Sequence, residues 1–286
     1  MRKMAIKEIE VKNIEQLNTI IWDQKYNSGI KRNRSPYLYR GLPNINYHLA
    51  TSLHRNCGVK KDDLECSVLS NFTKYAALED PTLNSSVWKQ MIIGQHHGLP
   101  TRLIDWSYSV LVALHFATSG EDLGNMDKND CVLWQINILE MNKRLPSRYQ
   151  EILHSRNAFL MTVDMMDELT KGAELEQATL NRYDESMRNM AMVLLEPPSV
   201  DQRIISQYSY FSVIPAEMEH EKDDLGIEAF LDTTNDTVKY IIDAQLKWRI
   251  RDMLDQMNVN ERIVFPGLDG LTAWIKRHYY VRKDNL

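Results

Sequence analysis

The sequence lacks most of the features that announce a function outright. Its 286 residues include only 3 cysteines, Cys57, Cys66 and Cys131, widely spaced and with no CxxC. That excludes a disulfide framework and a cysteine-based metal site, and it points to a reducing compartment. No run of about 18 apolar residues occurs, so no transmembrane helix is expected. The start, MRKMAIKEIEVKNIEQL, has no apolar core of the kind a secretory signal needs. The net charge of −5 leaves no global field that would draw the chain onto nucleic acid. An anionic ligand must therefore meet a local cluster of cations. There is no glycine-rich phosphate loop, no GxSxG elbow, no HExxH metal motif and no internal repeat. These absences leave a cytoplasmic globular protein with no metal and no membrane partner.

Against this background one stretch stands out, residues 95–119, QHHGLPTRLIDWSYSVLVALHFATS. It sets two histidines, an arginine, an aspartate, a tryptophan and several hydroxyls at the start of an apolar segment that must be buried. A second anchor is Tyr39-Arg40-Gly41, at the end of a run of β-favouring residues. The pattern predicts strands at 4–11, 37–40, 103–106, 131–138, 193–195 and 203–214. It predicts helices at 14–22 capped by Asn13, from Asp62 to Pro81, at 86–96, at 109–118 started by Ser109, at 236–257 and at 271–280. Within the second of these, Leu64, Val68, Leu69, Phe72, Tyr75 and Ala76 form the expected buried face. Residues 140–192 read as a helical insertion in one domain spanning 1–286, with C-terminal helices from 236 to 286 packed on the core. Strands and helices mix without a βαβ rhythm, which gives an α+β fold.

The chemistry of these residues leaves several readings open. Arg40 at a strand end suits a phosphate or carboxylate, and a structural arginine equally. Gly41 lets a ligand or another backbone approach closely. His96 and His97 are adjacent, so at most one faces inward, as a ribose contact or an acid–base group. Arg102 and Asp105 stand three apart and are spaced to pair with each other. Trp106 offers a face on which a nucleobase or nicotinamide could stack, or else it belongs to the core. Ser107 offers a hydroxyl, or else it caps a helix. Lys31-Arg32-Asn33-Arg34 and the tail 276–283 are basic, and they suit either a polyanion or a solvated surface.

Taken in order, the motifs resemble the FRG domain family. Tyr39-Arg40-Gly41 is similar to its name motif, and residues 95–107 to its central QHxGLPTRLLDWT signature. Ala113-Leu114-His115-Phe116-Ala117 resembles its ALYFA continuation. Arg203 with Gln207 and Phe211 resembles a later element, and residues 265–270, FPGLDG, a closing FPDLDG. The resemblance runs from about residue 20 to residue 280. A more distant resemblance is to arginine-serine-glutamate ADP-ribosyltransferases. Arg40 matches their first motif, and Asp105-Trp106-Ser107 with Ala113 and Phe116 their second. The third motif departs, because residues 203–214 carry Gln207 and no obvious glutamate, although Glu196 and Glu217 flank them.

The more distant resemblance implies an ADP-ribosyltransferase-like core and NAD as substrate. Arg40, Ser107, Gln207, His96 and Asp105 would then be catalytic. Tyr39, Arg40, Gly41, His97, Arg102 and Trp106 would bind the dinucleotide. A glutamine can hold a ribose but cannot act as a base, so His96, His97 or Asp105 would take the acceptor's proton. The implied role is a bacterial toxin of a toxin–antitoxin or anti-phage system, restrained by a cognate antitoxin protein. Its acceptor would be nucleic acid, RNA ahead of DNA, or else a protein. The alternatives are a non-catalytic nucleotide- or nucleic-acid-binding module and a histidine-dependent nuclease. The transferase reading requires Arg40, Ser107 and Gln207 to meet in one cleft.

Overall fold

A computed structural model describes residues 6–120, 122–171, 176–188, 191–199, 201–219 and 226–282. The beginning of the first expected strand and Lys283 of the basic tail fall outside these residues, as do parts of the 140–192 segment. The fold is α+β, a mixed sheet flanked by helices. Among the described residues, eight of ten strands form one sheet: β1 (Lys7–Val11), β4 (Tyr37–Leu42), β5 (Leu103–Ser107), β6 (Cys131–Asn137), β7 (Met161–Thr162), β8 (Val193–Glu196), β9 (Ser209–Val213) and β10 (Val238–Ile242). β2 (Tyr26–Asn27) and β3 (Arg32–Asn33) make a separate small hairpin. The sheet order is β1-β10-β6-β4-β5-β9-β8-β7, parallel at the two outermost pairs and antiparallel between.

The sheet is nearly two sheets. β4 pairs with β6 along its whole length, from Tyr37↔Asn137 to Leu42↔Val132. β5 pairs with β9 from Leu103↔Val213 to Ser107↔Ser209. Between β4 and β5 the register reduces to Tyr39↔Ser107. Beyond that point the strands diverge, and their facing backbone groups need other partners.

The helices next to this split begin and pack as the sequence dictates. Ser109 accepts the Val112 amide and starts the helix Val110–Ala117. That helix lies flat on β4, and Gly41 is the reason it can. A Cβ at Gly41 would run into the Ala113 carbonyl and the Ala117 amide, so the glycine serves a close backbone approach. Ser86 caps Val87–His96, and Asn13 caps Ile14–Trp22. The helical stretch after β6 does not stand apart. Its Met161, Met165, Met166, Leu180 and Tyr183 share one core with Trp88, Met91 and Leu103. The three cysteines are unbridged. No helix among the described residues is long and apolar enough to cross a membrane.

Four expectations fail. Residues 203–214 do not form one strand. Asp201 accepts the Arg203 amide and starts a helix, Gln202–Gln207, which ends where Tyr208 turns left-handed ahead of β9. The cap outweighs the alternating pattern. Residues 236–257 are not one helix either. Val238–Ile242 forms β10 inside the sheet, and the helix proper is Lys247–Gln256. Residues 236–286 therefore contribute a strand, next to the edge of the sheet, as well as helices. The last helix starts earlier than expected, at Leu268 after Gly267 at φ 112°. Finally, the helix Lys61–Ala76 is rotated from its expected orientation. It buries Lys61, Glu65, Leu69 and Thr73 and leaves Leu64 and Tyr75 exposed. The cause is Glu65, which is drawn inward by Arg102.

Candidate functional site

The split between β4 and β5 opens into a cleft of about 200 Å³. Tyr39, Arg40 and Gly41 form one wall, and Asp105, Trp106 and Ser107 the other. His96, Gln207 and Arg203 also line it. The sequence-predicted trio of Arg40, Ser107 and Gln207 therefore meets in one place. A second basin of about 590 Å³ adjoins it, lined among others by Tyr47, Leu49, Arg55 and Ile227. The two basins share Arg40, Gly41 and Phe116.

Arg40 sits where the basins join. Its Nη1 donates to the Asp105 carbonyl at 2.6 Å and lies 3.6 Å from the Asp105 carboxylate. The guanidinium thus occupies the place of the ladder bond that the diverging strands cannot make. Its Nε is buried and has no hydrogen-bond partner. Burial pulls its pKa below the ordinary value, with Asp105 opposing and Arg55 adding to the shift. It remains a cation, because arginine does not deprotonate in proteins. A half-buried cation on the wall of an open cleft, with a donor that the protein leaves unpaired, is a place for an anion.

Asp105 is the exposed carboxylate of the cleft, with its side chain 51% accessible. Gln95 Nε2 donates to it at 3.0 Å, and Thr101 Oγ1 donates to Gln95 Oε1 at 2.6 Å. His96 Nε2 lies 2.9 Å from Asp201 Oδ1. Burial pushes the imidazole's pKa below its usual value, with Asp201 opposing. In the neutral ring Nε2–H donates to the carboxylate, which leaves Nδ1 as the basic nitrogen. Burial pushes the Asp201 carboxyl up, but the Arg203 amide and His96 bring it below the usual range. Arg203 in turn donates to the His96 carbonyl at 3.1 Å and rests 4.9 Å above the Phe265 ring.

Ser107 and Gln207 are at the cleft but already engaged. Ser107 Oγ donates to the Gln207 carbonyl at 2.7 Å and accepts the Ser109 amide. Gln207 Nε2 donates to the Val264 carbonyl at 3.1 Å. These bonds tie the ends of β5, the helix Gln202–Gln207 and the turn before Phe265 into one rim.

Four predicted binding residues are corrected. Trp106 is 2% exposed, packs with Ile104 and Trp134, and donates Nε1–H to Ser212 Oγ, so its ring offers no stacking face. Tyr39 likewise keeps its ring in the core against Ala113 and Leu133, with its hydroxyl 3.4 Å from Ser35 Oγ. Both residues border the cleft, but their rings belong to the core. His97 is exposed and lies outside the cleft. Arg102 does not pair with Asp105. It is buried, with Nε and Nη2 on Glu65 at 2.7 and 2.5 Å and Nη1 on Asp184 at 2.6 Å. Glu65 and Asp184 together hold its pKa above the ordinary value in spite of burial.

Sequence reasoning passed over Gln95, Asp201 and Phe116 as site residues. Arg203 was visible as a motif position without a role. Asp201 carried a signal, because an aspartate before a helix is a cap and a cap fixes its carboxylate.

An α+β chain with an arginine at the waist of a two-basin cleft is thus the class that the fold and site define. The model of the FRG domain family matches residues 35–125, so the chain carries an FRG domain over that segment. No curated protein and no solved structure matches it. The matched segment carries β4, β5, Gln95, His96 and the helix Val110–Ala117. Asp201, Arg203, Gln207 and Phe265 complete the cleft from beyond it.

Proposed function

We propose that the chain is an NAD-dependent ADP-ribosyltransferase whose reaction takes place in the cleft between β4 and β5. The observation that carries the reading is Arg40, a half-buried guanidinium with an unpaired Nε at the junction of two basins. A dinucleotide has the matching shape, two nucleosides joined by a diphosphate. Arg40 would hold the diphosphate. The larger, mostly apolar basin with Leu49, Phe116 and Ile227 suits the adenosine. The smaller polar basin suits the nicotinamide riboside.

In that basin the bond from ribose C1′ to the nicotinamide nitrogen breaks and nicotinamide leaves neutral. Positive charge develops on the ribose, and the Asp105 carboxylate stabilises it. The acceptor attacks C1′, and its proton passes to His96 Nδ1, which Asp201 orients through Nε2. Gln207 cannot take this proton, and its amide is already bound to Val264.

That engagement also favours a second reading, a module that binds a nucleotide without consuming it. One experiment separates the two. Purified protein is incubated with NAD and cell extract, RNA and DNA, and nicotinamide release and acceptor labelling are followed. The transferase predicts both, and Arg40→Ala abolishes both. NAD binding by calorimetry without release supports the module and refutes the enzyme. The wider form of the reading is a cytoplasmic toxin restrained by a cognate protein. It predicts growth arrest on expression in a bacterial host, relieved by Arg40→Ala.

A further inference from the structure

Beside the mouth of the smaller basin stand three tyrosines that no sequence motif marks. Tyr108 and Tyr208 have ring centroids 5.1 Å apart, Tyr208 and Tyr210 6.1 Å, and Tyr108 and Tyr210 6.4 Å. They flank the cleft residues directly. Tyr108 follows Ser107, Tyr208 follows Gln207, and Ser209 between the latter two also lines the basin. Tyr208 is 49% exposed, while Tyr108 and Tyr210 are half-buried and fix the platform to the core.

The backbone of Tyr208 is in the left-handed region, φ 50° and ψ 50°. A bulky residue is uncommon there, and glycine would fill the position at less cost. The fold nevertheless holds an aromatic ring at this point. The Tyr108 amide donates to the Tyr208 carbonyl at 3.1 Å, which helps to pin the turn. Strain kept beside a cleft points to a use for the side chain.

The platform continues into a basic surface. Tyr108 donates its hydroxyl to the Ser35 carbonyl at 2.8 Å. Tyr108, Ser35, Arg34 and Arg32 then line one groove of about 260 Å³. Lys31, Arg32 and Arg34 are exposed and carry no ion pair among the described residues. Lys25 is spoken for, at 2.6 Å from Asp236. Two carboxylates border the site: Asp23 lines the groove, and Glu196 helps burial to push the Tyr210 hydroxyl up to about 12.

We propose that this tyrosine platform and the basic hairpin form a binding track for single-stranded nucleic acid, leading into the cleft. Bases stack on Tyr208 and its neighbours, and phosphates meet Arg32 and Arg34. Duplex is excluded as the preferred ligand, because its bases are stacked on each other and present no free face. The proposal deepens the transferase reading, since it names the acceptor's chemical class, but the binding itself needs no NAD.

The test is fluorescence anisotropy with the full chain, without NAD, against labelled RNA and DNA strands about 12 nucleotides long and a duplex of equal length. Both single strands, or one of them, should bind more tightly than the duplex. A preference for one strand names the acceptor, and equal affinity still carries the proposal. Tyr208→Gly removes the ring at a position where glycine is at ease, so the fold is kept. It should weaken strand binding by about fivefold or more, and Tyr208→Trp should retain it. Arg32→Ala with Arg34→Ala should lower the salt slope of binding by about 0.7 for each phosphate left without its arginine. Duplex binding as tight as single-strand binding, or a Tyr208→Gly variant that binds strands as well as the parent, overturns the proposal. Strand binding without nicotinamide release in the NAD assay keeps this inference and refutes the transferase. Nicotinamide release without strand binding does the reverse.

Discussion

Arg102 is the conspicuous arginine of the QHHGLPTR signature, and the structure makes it a structural one. That assignment can be tested by its energetics. Arg102 and Glu65 are 6% and 3% exposed and share two hydrogen bonds at 2.7 and 2.5 Å. Arg102→Ala leaves the Glu65 carboxylate buried and unpaired. Breaking a buried pair from one side costs about 3–5 kcal/mol, a large part of the roughly 5–15 kcal/mol that holds a domain folded. Asp184 suffers less, because it also accepts the Ala216 amide at 3.1 Å. Replacing both charges with apolar groups of similar volume, Arg102→Met with Glu65→Leu, removes the stranded ion and should recover most of the loss. Urea denaturation followed by tryptophan fluorescence gives the three free energies. If Arg102→Ala costs less than about 1 kcal/mol, or if the double variant is no more stable than the single one, the buried-pair account is wrong. On the proposed transferase reading, NAD consumption by the folded double variant is the second readout. It should match the parent, whereas an arginine that touches substrate would take the activity with it.

Two further perturbations follow from the packing. Gly41→Ala places a Cβ against the backbone of Ala113 and Ala117. It should cost about 3 kcal/mol or more, the upper end for overpacking, and a parent-like urea midpoint would refute the close-approach role. His115 is fully buried beside Arg251, and burial, with that arginine, pushes its pKa down to about 3. The unfolded chain binds the proton first, near the ordinary value of about 6.5. Stability should therefore be full above that value and fall as pH drops towards 3. The loss attributable to His115 is about 2 kcal/mol by pH 5. His115→Gln should flatten that part of the profile, and an unchanged slope between pH 6.5 and pH 5 would exclude His115 as its source.

What was legible in the sequence was local. Asn13, Ser86 and Ser109 cap their helices through partners three residues ahead. β4 and β5 follow from β-favouring runs, and Arg40 and Asp105 were recognisable as site candidates from their motifs, while the pattern left open which of His96 and His97 faces in. What was hidden depended on distant partners. Arg102 reaches Glu65 37 residues away and Asp184 82 residues away, and no spacing rule connects them. The same pair turns the helix Lys61–Ala76 so that its buried face is partly polar, against its own pattern. The helix Gln202–Gln207 escaped notice because six residues of alternating sequence read equally as strand, and only the Asp201 cap decides. The tyrosine platform escaped because its members come from two strand ends that meet only in the folded sheet.

The signature residues also divide by strand geometry into those that support and those that face the cleft. On β5, Ile104 and Trp106 point into the core, while Asp105 between them points out to Arg40 and Gln95. On β4, Tyr39 is buried and Gly41 is covered by a helix, so Arg40 alone turns its side chain to the cleft. Nearly all of both motifs is therefore scaffold that holds one cation and one carboxylate across a gap in the sheet. The gap explains why the cation must be arginine. It has to cap the Asp105 carbonyl that β4 leaves unpaired and still present another N–H to a ligand. A lysine ammonium is a compact point charge without the rigid fork that aims at both. The strand divergence and the arginine are thus one device: the missing ladder bonds make the cleft, and Arg40 both stabilises its edge and gives it an affinity for anions.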